Sequence, residues 1–555
     1  MLSQTSSAQN SAHEAANRGW LREVDSTLDR HVELIAALVV ALGFLWRLWL
    51  ARATFFNTDE AWHFALANQA SAWLAYKASL TISHPPLLIL VIYVWHALGT
   101  SDLFLRLPSV IAGAVFCWIF YRWLDLVAGR GVAWAGLILA SFLGPMVSTS
   151  AEVRQNPLLL MFAVGAIYFF DRALFENSVL GMMASSACLY LAMLSHYSAF
   201  FVAGALGVYS IVRMWEQKPS AEAMLTWLAA QTAGVALAIF LYKTHLGRLN
   251  SLLNQALLPQ QYLAGSYFHK GQDHLLPFLY RGTFGVFRFV FGQTQIGQLA
   301  LLLFAVGIVL LFLSKDSPTG HSKTRALGIL LLLPFVLNWL AAAAGLYPYG
   351  RIRQCMFLAI FCLAGVSVCI GRMSKGRTVP AVALALGIVV LGHAFGTLQD
   401  RDAFPLGEQR HEHMDEAMRF IRSQVQSGDV ILTDEATSYQ LRYYLCRGKP
   451  VPVEVRPDGF EVFRCEGLQV LSTGTSAGAL TADRVTSLRH VRPEPLAGAS
   501  RIWVVQGGWA SGLGEALRSR APAFWSGEIH SFGRYLEVFQ IPPRARPSIP
   551  EQQAS

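Results

Sequence analysis

Two adjacent carboxylates, Asp59 and Glu60, follow the first long apolar run of the chain, where a helix should leave the membrane. Ionisable groups at that depth are costly and are rarely placed without a use. A carboxylate near lipid favours its neutral form, which suits a general base that takes a proton from an acceptor hydroxyl or amine. One of the pair can also cap a helix expected over 61–73, with Asp59 or Thr58 satisfying its first amides. The other candidates are mostly cationic or aromatic. His84, before the stiff Pro85-Pro86 pair, can bind phosphate when charged, donate a hydrogen bond, or coordinate a metal with Glu60; a divalent metal is the one cofactor left open. Arg106, before Leu107-Pro108-Ser109, and Arg154, in Glu152-Val153-Arg154, can each clamp a phosphate with paired hydrogen bonds. Glu152 can orient Arg154 or a hydroxyl. His196-Tyr197 lies at another outer helix end and is a further candidate for binding donor or substrate, and the run Tyr347-Pro348-Tyr349-Gly350-Arg351-Ile352-Arg353 suits an anionic lipid headgroup beside a ring-shaped ligand. Each also has a plain structural alternative, such as a snorkelling Arg or an aromatic anchor at the membrane surface.

The elements that must position these residues are apolar helices. The chain has 555 residues, 54% hydrophobic and 14% charged, against about 25% charged in soluble domains. Apolar runs of spanning length recur at 33–51, 107–124, 131–150, 157–172, 178–195, 198–214, 223–242, 297–314, 325–344, 353–372 and 379–396. The run 85–99 is shorter, opens with Pro-Pro, and is expected to lie along the membrane surface. The fold class expected is a polytopic α-helical membrane protein with about eleven spans, interfacial helices in the first outer loop, and a C-terminal α/β soluble domain. The domains are a polar cytoplasmic tail over 1–32, a membrane domain over 33–398 and an extracytoplasmic domain over 399–555. With the N-terminus inside, most short basic loops face the cytoplasm, as the positive-inside rule requires. Asp171 and Arg172 are counted among those loop charges. The net charge of +9 is then topology charge rather than a nucleic-acid footprint.

All the candidate residues then fall on one outer face, whereas a carrier places polar groups near mid-span. This favours chemistry at the membrane surface. Cys446 and Cys465 can form a disulfide if the C-terminal domain is outside the cytoplasm. In that domain 417–426 reads as an amphipathic helix, 430–433 as a buried strand, 437–446 as a helix, and 501–506 and 535–541 as further strands. Gly507-Gly508 follows a strand without a complete nucleotide-binding motif.

Over residues 35–360 the chain resembles the GT-C superfamily of integral membrane glycosyltransferases, in the branch of protein O-mannosyltransferases, aminoarabinose transferases and lipopolysaccharide galacturonosyltransferases. The resemblance is carried by Asp59-Glu60, His84-Pro85-Pro86, Arg106-Leu107-Pro108-Ser109, Glu152-Val153-Arg154, Ser195-His196-Tyr197 and Tyr349-Gly350-Arg351 with Arg353. Gln155-Asn156-Pro157 stands where many relatives carry an aromatic residue or Asp. The resemblance implies a polyprenyl-phosphate sugar donor, a lipid, glycan or protein acceptor, inversion at the anomeric carbon, and an active site on the outer side of a bacterial inner membrane. It implies Asp59 as the base. Glu60, His84, Arg106, Glu152 and Arg154 would line the cavity, and Arg351 and Arg353 would contact the lipid phosphate. Two other readings stay open: a transporter or flippase of lipid-linked sugars, and a polysaccharide polymerase or ligase using a lipid diphosphate.

Overall fold

The computed structural model describes residues 30–248, 263–314, 324–399, 409–446, 448–474, 496, 499–507, 529–533 and 536–541. Most of the expected N-terminal tail, and Gly508, lie outside these residues. The chain forms two compact units: one of residues 1–51, 76–91 and 106–404, and one of residues 52–75, 92–105 and 405–555.

The first unit is helical because lipid offers no partners for backbone amides and carbonyls, so each segment satisfies its own. Its helices include α1 (Val32–Ala53), then α5 (Asp102–Ala128), α6 (Arg130–Phe142), α7 (Gly144–Ser150), α8 (Gln155–Glu176), α9 (Val179–Ser195), α10 (Ala199–Gln217) and α11 (Ala221–Leu241), while α2 (Thr58–Ala67) belongs to the second unit and α3 (Ala72–Ser79) and α4 (Leu87–Trp95) fall partly in each. The first unit continues with α12 (Leu275–Phe291), α13 (Thr294–Leu313), α14 (Thr324–Ala343), α15 (Ala359–Met373) and α16 (Thr378–Gln399). Among the described residues eight helices are long and apolar enough to cross a membrane, or nine when α6 and α7 count as one broken span. Helices over 179–195 and 378–394 are apolar but shorter. Each of the eleven expected segments thus falls on a helix. The run 85–99 becomes α4 and a short 3-10 turn, His96–Leu98.

The segment expected as one span over 131–150 is bent by 57° between α6 and α7. Leu143 is extended and Pro145 starts the second piece. A helix end leaves its last carbonyls unpaired. Here Arg47, fully buried on α1, donates to the Ser141 and Ala140 carbonyls at 2.9 and 2.8 Å, and to Gly43. The intramembrane arginine therefore stitches α1 to the break. Asp171 is not a loop charge as expected. It is buried inside α8 and accepts from Trp123 of α5 (3.0 Å) and from Tyr209 (2.8 Å) and Arg213 of α10. A buried carboxylate persists only with such partners.

The second unit holds a seven-stranded mixed sheet. Its strands are β1 (Val430–Thr433), β2 (Glu454–Val455), β3 (Glu461–Cys465), β4 (Leu468–Ser472), β5 (Ile502–Gly507), β6 (Ile529–Phe532) and β7 (Leu536–Ile541), ordered β2-β3-β4-β1-β5-β7-β6. β1 pairs in parallel with β4 and β5, and all four of its residues are buried, as a strand covered on both faces should be. α17 (His411–Gln424) and α18 (Glu435–Leu445) pack on the sheet, and Asp434 caps α18 through the Thr437 amide at 2.9 Å.

Cys446, at the end of α18, is joined to Cys465, at the end of β3, with their Cα atoms 5.0 Å apart. Closing a loop of this size stabilises by about 3 kcal/mol. The unreduced protein is therefore expected to gain a thiol-blocking mass adduct at this pair only after reduction, and to unfold at lower temperature once reduced. Two alkylatable cysteines here in the untreated protein would contradict the pairing.

Candidate functional site

In the first unit, the sequence motifs meet through short polar links. Pro108 lies inside α5 and lacks the N–H that would bond the Phe104 carbonyl, which accepts from Trp95 Nε1 at 2.8 Å, and one residue later Ser109 is buried. Ser109 Oγ lies 3.2 Å from the Arg154 carbonyl and 3.3 Å from the Arg154 amide. That pair of contacts locks the loop 151–154, between α7 and α8, onto the start of α5. Arg106 is buried one turn earlier and donates to the Ala51 carbonyl.

Glu152 organises the cations. One carboxylate oxygen is 3.1 Å from Arg154 Nε and 3.4 Å from Arg353 Nη1. Burial works against the Glu152 charge, but Arg353, Arg154 and the nearby Arg106 outweigh it and hold its carboxyl below the usual range. It is therefore an anion that aims guanidiniums, not a proton carrier. Three guanidiniums and one carboxylate give these four side chains a net charge of +2. Arg154 is also the residue before the first turn of α8, and no side chain caps that helix end. The positive end of the helix dipole thus adds to the guanidiniums.

Arg351 is seated on α12, which lies between the expected apolar runs 223–242 and 297–314, where hydropathy predicts no helix. The helix is amphipathic: Phe278, Gly282, Gly285, Val286, Phe287, Val290 and Phe291 are buried, and they recur at helical spacing. A Cβ on Gly282 would lie 2.2 Å from the Tyr349 ring, and one on Gly285 would lie 2.9 Å from the Arg351 amide. The two glycines form the seat of the Tyr349–Arg351 loop. Tyr349 is buried, and its hydroxyl bonds Thr283 and Trp339, each at 2.8 Å. Its function is to anchor the loop. Tyr347 likewise donates to the Gln354 carbonyl at 3.1 Å.

His84 and His196 come together, ring centroids 5.4 Å apart. Burial first, and then His84, pushes His196 down to about 3. The Ser198 amide donates to His196 Nδ1 at 3.1 Å, so the neutral ring carries its proton on Nε2. Tyr197 donates to His245 Nδ1, whose Nε2–H bonds the Ile82 carbonyl at 2.8 Å. His245 sits in a π-helical turn, Tyr242–Leu246, at the end of α11, and so ties that helix to the loop bearing His84. Unfolded His196 titrates near 6.5. Its contribution to stability is complete above that pH and is lost as pH falls toward 3. Thermal unfolding at pH 7 and pH 5 should show a larger drop for the wild type than for His196→Gln; equal drops would remove His196 as the cause.

In the second unit, Asp59 and Glu60 open α2. The cap is Asn57, not Asp59 or Thr58 as expected: its side chain accepts from the Glu60 amide at 3.1 Å, and Glu60 accepts from the Asn57 amide at 2.9 Å. This reciprocal pair is a capping box. Glu60 is wholly buried in it, while Asp59 is only partly buried. α2 ends at Ala67, with Asn68 as its C-terminal cap, short of the expected 73. Among the described residues no group of three or more His, Cys, Asp or Glu side chains gathers that could hold a metal ion.

Residues 83–243 match the family of dolichyl-phosphate-mannose-protein mannosyltransferases. No curated protein matches the chain by sequence. Among solved structures, ArnT from Cupriavidus metallidurans bound to undecaprenyl phosphate superposes with a TM-score of 0.51 at 13% identity, covering 93% of this chain and 99% of that one. The same enzyme in the apo state gives 0.50 at 14% identity, covering 92% and 98%. The chain is thus a multi-pass membrane protein with the fold of the GT-C glycosyltransferases, and its segment 83–243 carries the sequence signature of the dolichyl-phosphate-mannose-protein mannosyltransferase family.

Proposed function

We propose that this protein is a glycosyltransferase that moves a sugar from a polyprenyl-phosphate donor to an acceptor outside the cytoplasm, with inversion. The carrying observation is the guanidinium cluster held by Glu152, whose net positive charge suits a lipid phosphate. Asp59 takes the proton of the acceptor hydroxyl or amine. The acceptor atom forms its bond to the anomeric carbon as the bond from that carbon to the phosphate oxygen breaks, and the lipid phosphate leaves with the electron pair. Arg106, Arg154, Arg351 and Arg353 stabilise the charge growing on that phosphate. Undecaprenyl phosphate bound to ArnT supports a lipid of this class. The Cys446–Cys465 disulfide supports placing the unit that bears it on the oxidising, periplasmic side of a bacterial inner membrane.

The ionisable groups inside the spans speak against transport. Arg47 bonds backbone carbonyls, and Asp171 and Arg213 bond each other. The deciding experiment incubates the purified protein with polyprenyl-phosphate sugars and measures release of polyprenyl phosphate with acceptor glycosylation. Lipid movement across vesicles without cleavage would overturn the proposal, and turnover only with a lipid diphosphate would move the protein to the polymerase and ligase class.

A further inference from the structure

The second unit contains a cavity of about 400 Å³, within the size range of ligand pockets. One wall is α2, which presents Ala61, Phe64, Ala65 and Asn68. These recur at helical spacing, so they share one face. From Ala61 to Asn68 that face runs roughly 10 Å along the axis. The opposite wall is α18, with Tyr439, Arg442 and Tyr443, and the segment from Gly448 to Val453.

Several features make this a formed cavity rather than a gap. The Cys446–Cys465 bond fixes the start of the second wall, and Pro450 and Pro452 stiffen it. Asn68 donates to the Gly448 carbonyl at 2.9 Å and bridges the two walls. Gly448 has φ +69°, and a Cβ there would meet Thr100 and Phe64 at 3.3 and 3.5 Å. The floor is aromatic, with Phe64 edge-on to Tyr443 at 5.5 Å.

The chemistry of the lining selects the occupant. Lys449 is exposed at the rim. Arg442 lies over the Tyr439 ring at 4.6 Å, and one of its terminal nitrogens bonds Glu461 at 3.3 Å. Its buried Nε has no acceptor among the described residues. Among the described residues no carboxylate lines the cavity. Lys449, Arg442 with its charge shared by Glu461, the side-chain amide oxygens of Asn68 and Gln69, whose nitrogens donate to the Gly448 and Ala65 carbonyls, and aromatic rings together match a chain of hydroxylated rings bearing carboxylate or phosphate groups. We propose that this cavity binds an acidic oligosaccharide, the part of the acceptor that lies beyond the reacting hydroxyl. The acceptor role rests on the transfer reading above: Ala61 is two residues from Asp59, so an occupant would run along α2 away from the proposed base. The binding itself does not rest on that reading.

The test uses the full chain in detergent and calorimetric titration with trigalacturonate, maltotriose and triglutamate. Trigalacturonate should bind one to one, with maltotriose at least about tenfold weaker, a margin matching the loss of one charge-assisted hydrogen bond. Triglutamate should not bind. Lys449→Glu, an exposed change that spares folding, should weaken trigalacturonate by about tenfold and leave donor cleavage to water unchanged. Arg442→Lys should weaken it while keeping the charge. Equal affinity for maltotriose, equal affinity for triglutamate, or an unaffected Lys449→Glu would each overturn the proposal. A wild type that binds trigalacturonate but cleaves no lipid-phosphate donor would defeat only the transfer reading.

Discussion

Asp59→Asn should lower sugar transfer from a lipid-phosphate donor by roughly 10²–10⁴-fold, the usual contribution of a positioned general base, with little change in thermal stability. The structure separates the two neighbouring carboxylates for this purpose. Glu60 closes the capping box of α2 with Asn57, so one of its carboxylate oxygens accepts from the Asn57 amide. A Gln at that position preserves the box, and Glu60→Gln should keep most of the activity. Glu60→Ala should destabilise by about 1 kcal/mol, as the loss of a helix cap does. The comparison needs turnover and melting temperature on the same preparations. Near-normal turnover in Asp59→Asn, or a melting point that falls as far as in Glu60→Ala, would remove Asp59 as the base.

The second large effect concerns the two arginines that share Glu152. Their side chains differ in exposure: 9% for Arg154 against 42% for Arg353. Removing one partner of a buried pair leaves an uncompensated charge and costs about 3 kcal/mol or more. Arg154→Gln should therefore lower stability by that order and also weaken donor binding. Arg353→Gln should be nearly neutral for stability, because solvent screens an exposed pair, yet raise the KM for the lipid-phosphate donor about tenfold or more. Melting curves and donor titrations of the two variants give the test. Equal stability losses, or an unchanged donor KM in Arg353→Gln, would show that the cluster is a structural knot and not a phosphate site.

Much of the architecture is legible in the chain because hydropathy is a local property. Each of the eleven apolar runs falls in helical structure, the run 131–150 in two pieces, and β1 lies where its pattern places it, while α17 begins six residues before the expected 417. Legibility fails where a helix is amphipathic instead of apolar. α12 carries Pro277, Gly282, Gly285, Arg281 and Arg288, which dilute its hydropathy, although its helical periodicity is present. It fails again at Leu143, because a bend depends on what accepts the freed carbonyls, and Arg47 of α1 is far away in sequence. The short strands β2, β3, β4 and β6 also escape, since their pairing is decided by neighbours.

The site divides in the same way. The residue types of the cluster, its cations and its carboxylates, stand in the chain and follow from where the apolar runs end. Which of them act on each other does not. That Glu152 holds Arg154 and Arg353, that Tyr349 is an anchor, and that Glu60 rather than Asp59 completes the cap are facts of contact between distant or turned segments. Composition along a segment determines whether it enters lipid, because burial of backbone and side chains there is a sum over local groups. The pairing of charges is decided only when folding brings helix ends together, because a salt bridge depends on a few ångströms that no one-dimensional pattern encodes.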